Sequence, residues 1–247
     1  VDFVQEIRLL GGEPLMYKKV DLVVKHLLKY KNFGQLKVNT NGTIIPKDEK
    51  LKVFQNDKVF FDISNYGKDS RNVDGLVKKL TEMNIAHTAS KVTEWQDVGK
   101  IVKTNRTDSL NKEIFGNCCV NRCLTLLHGK LYLCPFSANA TNLKAIKYAD
   151  EEILDLKANK EELKKQIHNL YFNTDFLEAC KSCNGRDHNV RRVEAAVQAP
   201  AALKYDSLKI ESYGVYFNMD AIRTIIDAYG RFEKENSLAG VRQADSV

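Results

Sequence analysis

Nothing in the 247 residues is apolar over anything near the ~20 positions needed to cross a bilayer, and no export signal opens the chain. A membrane span and a secreted fate are therefore not expected, and a cytoplasmic location is. Lys and Arg (38) exceed Asp and Glu (32) by a net +6, but the charges are interspersed. The concentrated basic stripe of a nucleic-acid protein is missing, which leaves a solvated surface and an anionic substrate open. Internal repeats and low-complexity tracts are absent. Tryptophan occurs once, at Trp95, where a packing role or a pocket lining are both open. The first 117 residues hold no cysteine, and all six cysteines fall between Cys118 and Cys183. Disulfides stapling a secreted scaffold do not cluster this way, so metal binding is expected.

What is present first is an alternation of strand and helix. Phe3 to Leu10 reads as a strand. Val20, Val23, Val24, Leu27 and Leu28 recur at helical spacing. Strands are expected over Gln35 to Thr40, Lys58 to Ile63 and Ile85 to Ser90. A short helix after Pro46 and a helix on Val73, Leu76, Val77, Leu80 and Met83 separate them. This order predicts an α/β fold with a parallel sheet, and the apolar strand runs suggest burial on both faces. In such sheets ligands sit at the carboxyl ends of the strands. Three of those ends carry glycine with polar groups: Gly11-Gly12-Glu13-Pro14, Asn39-Thr40-Asn41-Gly42-Thr43 and Ser64-Asn65-Tyr66-Gly67. Each taken singly reads as turn chemistry; three on one edge point to a site.

The pattern fades from Val92 to Phe115. Beyond it, Leu124 to Leu127 and Leu131 to Leu133 flank His128-Gly129-Lys130 and predict a β-hairpin, with Gly129 supplying a positive φ. The hairpin would return Cys134 toward Cys118 or Cys119, and Cys180-x-x-Cys183 would add two thiolates. Converging thiolates need a cation, and zinc and an iron–sulfur cluster both satisfy that; a single Cys-x-x-Cys knuckle favours the cluster. Residues 149–172 read as one helix on Ile153, Leu156, Leu163, Ile167 and Leu170. A last helix is expected over Asn218 to Tyr229.

These residues resemble a known family. Gly11-Gly12-Glu13-Pro14 after a strand looks like the GGEP motif of radical S-adenosylmethionine (SAM) enzymes, and Asn39-Thr40-Asn41-Gly42-Thr43 is similar to that family's next strand end. Cys119-x9-Gly129-x4-Cys134, or the same pattern begun at Cys118, is similar to the opening of SPASM and twitch auxiliary-cluster domains, which close on a Cys-x-x-Cys. The resemblance spans about residues 1–200. It implies a partial TIM-like (β/α) barrel over 1–110, a small cysteine-rich hairpin/helix auxiliary domain over 111–200, and a C-terminal extension with a helix over 201–247. It implies that Gly11, Gly12, Glu13 and Pro14 contact SAM, with Asn39, Asn41 and Ser64 as further contacts. It implies that an auxiliary 4Fe–4S cluster draws its ligands from Cys118, Cys119, Cys123, Cys134, Cys180 and Cys183. The best set is Cys118 or Cys119 with Cys134, Cys180 and Cys183.

The implied activity is formation of a 5′-deoxyadenosyl radical for hydrogen abstraction from a peptide, sugar or small metabolite, with electrons from a donor such as flavodoxin or ferredoxin. The C-x-x-x-C-x-x-C motif that holds the family's catalytic 4Fe–4S cluster is not in these residues. The sequence, which does not open on Met, reads as starting at the second barrel strand, and without that motif it would not cleave SAM. Two other readings compete: a non-catalytic metal-binding scaffold or peptide-recognition protein on a degenerate barrel, and a zinc-ribbon nucleic-acid binder resting on the basic segment Arg186 to Arg192.

Overall fold

A computed structural model describes residues 3–99, 101–146, 149–198 and 201. The expected helix over Asn218 to Tyr229 and the 201–247 extension, Ala201 apart, lie outside the described residues. The chain divides into two compact units. Among the described residues, the first comprises 3–98, 157–172, 185–198 and 201; the second comprises 99, 101–146, 149–156 and 173–184. The division differs from a cut at 110 because the chain returns. Residues 157–172 and 185–198 belong with the first unit, where Arg192–Glu194 pairs with Glu94–Gln96.

In the first unit, β1 (Val4–Leu9), β2 (Phe33–Thr40), β3 (Val59–Asn65) and β4 (His87–Lys91) form one parallel sheet in sequence order. α1 (Val20–Leu27), α2 (Asp48–Leu51) and α3 (Val73–Glu82) connect them. The register runs Leu9 to Val38, Val38 to Phe61 and Ile63 to Ala89. Leu36, Val38, Phe61 and Ile63 are fully buried with Val24, Leu51, Leu76 and Leu80 of the helices. At period two the opposite face carries Glu6, Arg8, Gln35, Lys37, Asn39, Phe60, Asp62 and Ser64. There Glu6 pairs with Arg8 and with Lys37 (3.1 Å), and Lys37 lies 5.8 Å from the Phe60 ring. The expectation of two apolar faces is thus corrected: one face is core, the other polar and mostly half-buried. Alternating charged positions in β1 and β2 carried that signal.

β5 (Glu94–Gln96) pairs antiparallel with β9 (Arg192–Glu194), across nearly a hundred residues of chain. Trp95, about 44% exposed, stands edge-on to Tyr66 at 5.7 Å. Next to it an open cleft of about 450 Å³ is lined by Tyr66 to Asp69, Lys91 to Thr93 and Glu194 to Gln198.

The second unit holds α4 (Asp108–Asn117), α5 (Pro135–Asn142) and a three-stranded antiparallel sheet of β6 (Thr125–Leu127), β7 (Lys130–Tyr132) and β8 (Ile153–Asp155). His128 (φ 50°) and Gly129 (φ 77°) both take the left-handed conformation that a two-residue hairpin loop requires. The single helix expected over 149–172 is not formed. Ile153–Asp155 is drawn into pairing with β7, and α6 (Lys160–Phe172) starts only where Asn159 caps it, its Oδ1 accepting from the Glu161 (3.0 Å) and Glu162 (3.4 Å) N–H groups. Apolar positions three apart suit a helix face, and here the sheet overrides that local period. Among the described residues no helix is long and apolar enough to cross a membrane.

Candidate functional site

The carboxyl edge of the parallel sheet is tied into one hydrogen-bonded frame, and Glu13 is its knot. The side chain is 8% exposed. Its Oε1 accepts from Leu15 N–H (2.9 Å), its Oε2 from Asn41 N–H (2.7 Å), and the Thr40 hydroxyl lies within 2.9 and 2.8 Å of the two oxygens. A carboxylate offers about four lone-pair directions, so little acceptor capacity is left for a ligand. The glutamate fastens the first loop to the end of β2. Asn72 fastens β2 to the third loop: its Nδ2 donates to the Thr43 carbonyl (2.6 Å), its N–H to that of Gly42 (3.0 Å). Ser70, also buried, accepts from Tyr66 N–H and donates to the Ser64 carbonyl. Thr40 stands inside the singled-out Asn39–Thr43 stretch without being picked as a contact, and Ser70 and Asn72 are not marked by the sequence pattern at all.

The glycines of this edge differ in cause. Gly42 has φ 70°, and a Cβ there would meet Val73 Cγ2 at 2.4 Å, so packing and backbone both require it. Gly11 and Gly12 are exposed, take no positive φ, and a Cβ on either would meet nothing within 4 Å. Pro14 opens a single 3-10 turn, Pro14–Met16, with Glu13 as its cap. Asn41 makes turn chemistry, its Oδ1 accepting from the Thr43 N–H and hydroxyl. Asn39 donates to Asp62 (3.2 Å), while its Oδ1 is buried without a partner. Ser64 sits on the polar face at the end of β3.

The second unit gathers the cysteines. No disulfide joins any two of the six; Cys119 and Cys123 are exposed, while Cys118, Cys134, Cys180 and Cys183 are half-buried. Burial pushes the Cys180 thiol up to about 12, and the charges of Cys134, Cys183 and Cys118 push the same way. Burial also raises Cys134, with Cys118 and Cys123 adding to it and the Ser137 and Phe136 backbone N–H groups at the start of α5 opposing. Cys180 thus lies within electrostatic reach of Cys134, Cys183 and Cys118, and Cys134 within reach of Cys118 and Cys123.

These thiols fit a metal or cluster by their chemistry. Several thiolates confined together out of water are tolerable only with a cation among them, and backbone N–H groups directed at Cys134 are what a thiolate ligand uses. In the same unit Arg106 Nε, both amide atoms of Asn111, Thr141 Oγ1 and Glu152 Oε2 are buried without partners. Among the described residues no group of three or more His, Cys, Asp or Glu side chains closes to metal-holding geometry.

Residues 103–106 strap the Cys180–Cys183 loop. Thr104 donates its N–H (2.8 Å) and hydroxyl (2.9 Å) to the Lys181 carbonyl, and Arg106 Nη2 reaches the carbonyls of Cys180 (2.8 Å) and Cys183 (2.6 Å). This strap falls in the span where sequence periodicity fades, and nothing in its composition announced it.

The thiol environments order their reactivity. Native alkylation with iodoacetamide, read by peptide mass spectrometry, is expected to modify Cys119 and Cys123 first and Cys134 and Cys180 last, because burial keeps the latter two protonated. Labelling of Cys180 ahead of Cys119 would contradict this packing.

No family model and no curated protein matches the chain.

Proposed function

We propose that the chain belongs to a radical SAM enzyme, contributing part of a TIM-like (β/α) barrel and an auxiliary iron–sulfur centre of the SPASM/twitch kind. The observation that carries this reading is that Cys180 lies within electrostatic reach of Cys134, Cys183 and Cys118, and Cys134 within reach of Cys118. Support comes also from the sheet: a polar face, an interlocked carboxyl edge, and two exposed glycines that neither φ nor packing explains. Close approach of a bound group to the backbone is the remaining physical reason for such glycines.

When bound, iron–sulfur clusters and SAM supply one-electron chemistry that ends in hydrogen abstraction from a substrate. The residues of this chain would hold and orient. Glu13 fixes the loop so that the Gly11-Gly12 backbone faces the ligand, with Pro14 stiffening its exit. Asn39 Oδ1, Asn41 and Ser64 supply polar contacts at the neighbouring strand ends. Cys118, Cys134, Cys180 and Cys183 hold the auxiliary cluster, and Cys123 is a spare thiol beside it. The substrate is a small molecule or peptide, the electron donor a flavodoxin- or ferredoxin-like protein, and the compartment the cytoplasm.

Two measurements test the proposal. This chain, reconstituted anaerobically with iron and sulfide, should turn brown and show iron–sulfur absorption; retention of zinc alone would replace the cluster with a zinc site. A form of the protein carrying a C-x-x-x-C-x-x-C segment should convert SAM to 5′-deoxyadenosine. No product above background, with both clusters loaded, would sink the enzyme reading. A second reading, a non-catalytic metal-binding scaffold, is favoured by one observation: the Glu13 carboxylate is taken up by the fold. It predicts a loaded cysteine centre with no SAM cleavage.

A further inference from the structure

The Cys180-x-x-Cys183 loop is held from outside by one cation. Arg106 Nη2 carries two hydrogens and has two acceptors, the carbonyls of Cys180 and Cys183 at 2.8 and 2.6 Å. A single nitrogen bridging the carbonyls of both thiol-bearing residues fixes the separation of their backbones. Nη1 reaches Asn184 Oδ1 at 3.4 Å, and Thr104 adds its two bonds to Lys181 between the cysteines. The remaining donor, Nε–H, is buried and has no partner. The guanidinium is half-buried beside the Cys180–Cys183 loop.

A metal centre is completed by groups behind its ligands that fix their orientation and donate hydrogen bonds to them. A guanidinium suits the task because its donors form a rigid fork and it stays charged when desolvated. Resting on the metal-centre reading above, we propose that Arg106 is a positioning residue of the cysteine centre: it clamps the Cys180–Cys183 loop through two carbonyls and reserves its Nε–H for a sulfur of the bound metal or cluster. Neither the spacing of the cysteines nor their burial assigns it this part.

Cobalt(II) is a suitable probe, because its thiolate charge-transfer absorption reports sulfur ligation and its affinity is measurable by chelator competition. The reduced, metal-free chain is titrated anaerobically beside Arg106→Gln, Arg106→Lys and Cys180→Ser. Arg106→Gln should bind cobalt about 10- to 100-fold more weakly, the range for removing a group behind a ligand. Arg106→Lys should fall between Gln and wild type and shift the charge-transfer band, since it keeps the charge and a carbonyl contact but has no Nε–H. Equal affinity of wild type and Arg106→Gln overturns the proposal, as does Arg106→Lys no better than Gln. Wild type binding no better than Cys180→Ser would instead remove the metal-centre reading itself. Should Arg106→Gln fail to fold by circular dichroism, Arg106→Lys decides alone: unchanged affinity with an unchanged band overturns the proposal, weaker binding with a shifted band supports it.

Discussion

Cys180→Ser is expected to abolish tight metal binding, lowering affinity for zinc or cobalt by about two orders of magnitude. The size follows from the ligand count. Structural thiolate sites hold zinc with roughly 10–16 kcal/mol, or about 3 kcal/mol per ligand over four, and each 1.4 kcal/mol is tenfold. Cys180 is the choice because its environment is the most extreme. Burial and three neighbouring thiols raise it to about 12, so in the metal-free protein it carries a proton that binding must displace. Cys134 is raised in the same direction. With both protonated at neutral pH, metal uptake releases at least two protons, and affinity should climb by about 100-fold per pH unit around neutrality. The sign follows from competition: a thiol whose pKa lies above ambient pH favours the metal-free state, and raising pH removes that preference. Chelator competition at two pH values checks the slope, and Cys119→Ser is the control that should leave affinity within a few-fold. A Cys119→Ser loss as large as that of Cys180→Ser would mean the ligand set is wrong.

Glu13→Ala should be the most damaging polar substitution in the sheet unit. It strands the Leu15 and Asn41 N–H groups and the Thr40 hydroxyl, all donors to one buried carboxylate. At about 1–3 kcal/mol for each stranded donor, and with the hydroxyl able to turn elsewhere, the loss should be roughly 3–5 kcal/mol. A urea midpoint lowered by about 2 M is the expected readout for a slope near 2 kcal/mol/M. Glu13→Gln should recover little, because its amide must point N–H at one of the same donors. If Glu13 served a ligand and not the fold, both variants would unfold like wild type and differ only in ligand binding.

The parallel sheet was legible because its signals are local. β1 to β4 and α1 to α3 each declare their own period, and every strand pairs with the next. The polar face was present in the same letters, as Glu6, Arg8, Lys37 and Asp62 at period two, but apolar content drew the reading toward burial on both sides. What failed depended on partners far along the chain. Ile153 and Leu156 fit a helix face until β7 takes Ile153–Asp155 as its neighbour. β5 acquires strand identity only from β9. Cys118 and Cys119 are indistinguishable by spacing, since either one fits the pattern with Gly129 and Cys134. Arg106 sits in a polar, aperiodic stretch, and its acceptors are backbone carbonyls, which leave no trace in composition.

The order in which the chain delivers its thiols has a consequence during synthesis. The parallel sheet needs nothing beyond Lys91, and its pairings are between successive elements, the kind that form early. Cys118, Cys123 and Cys134 emerge next, while Cys180 and Cys183 follow only after α6. At roughly 5–20 residues per second, the early thiols wait about 2–10 s for their partners. Throughout that interval an oxidant could join Cys134 to a neighbour before any ion arrives, so the yield of correctly assembled protein should depend on how reducing the medium is while the nascent chain is still on the ribosome.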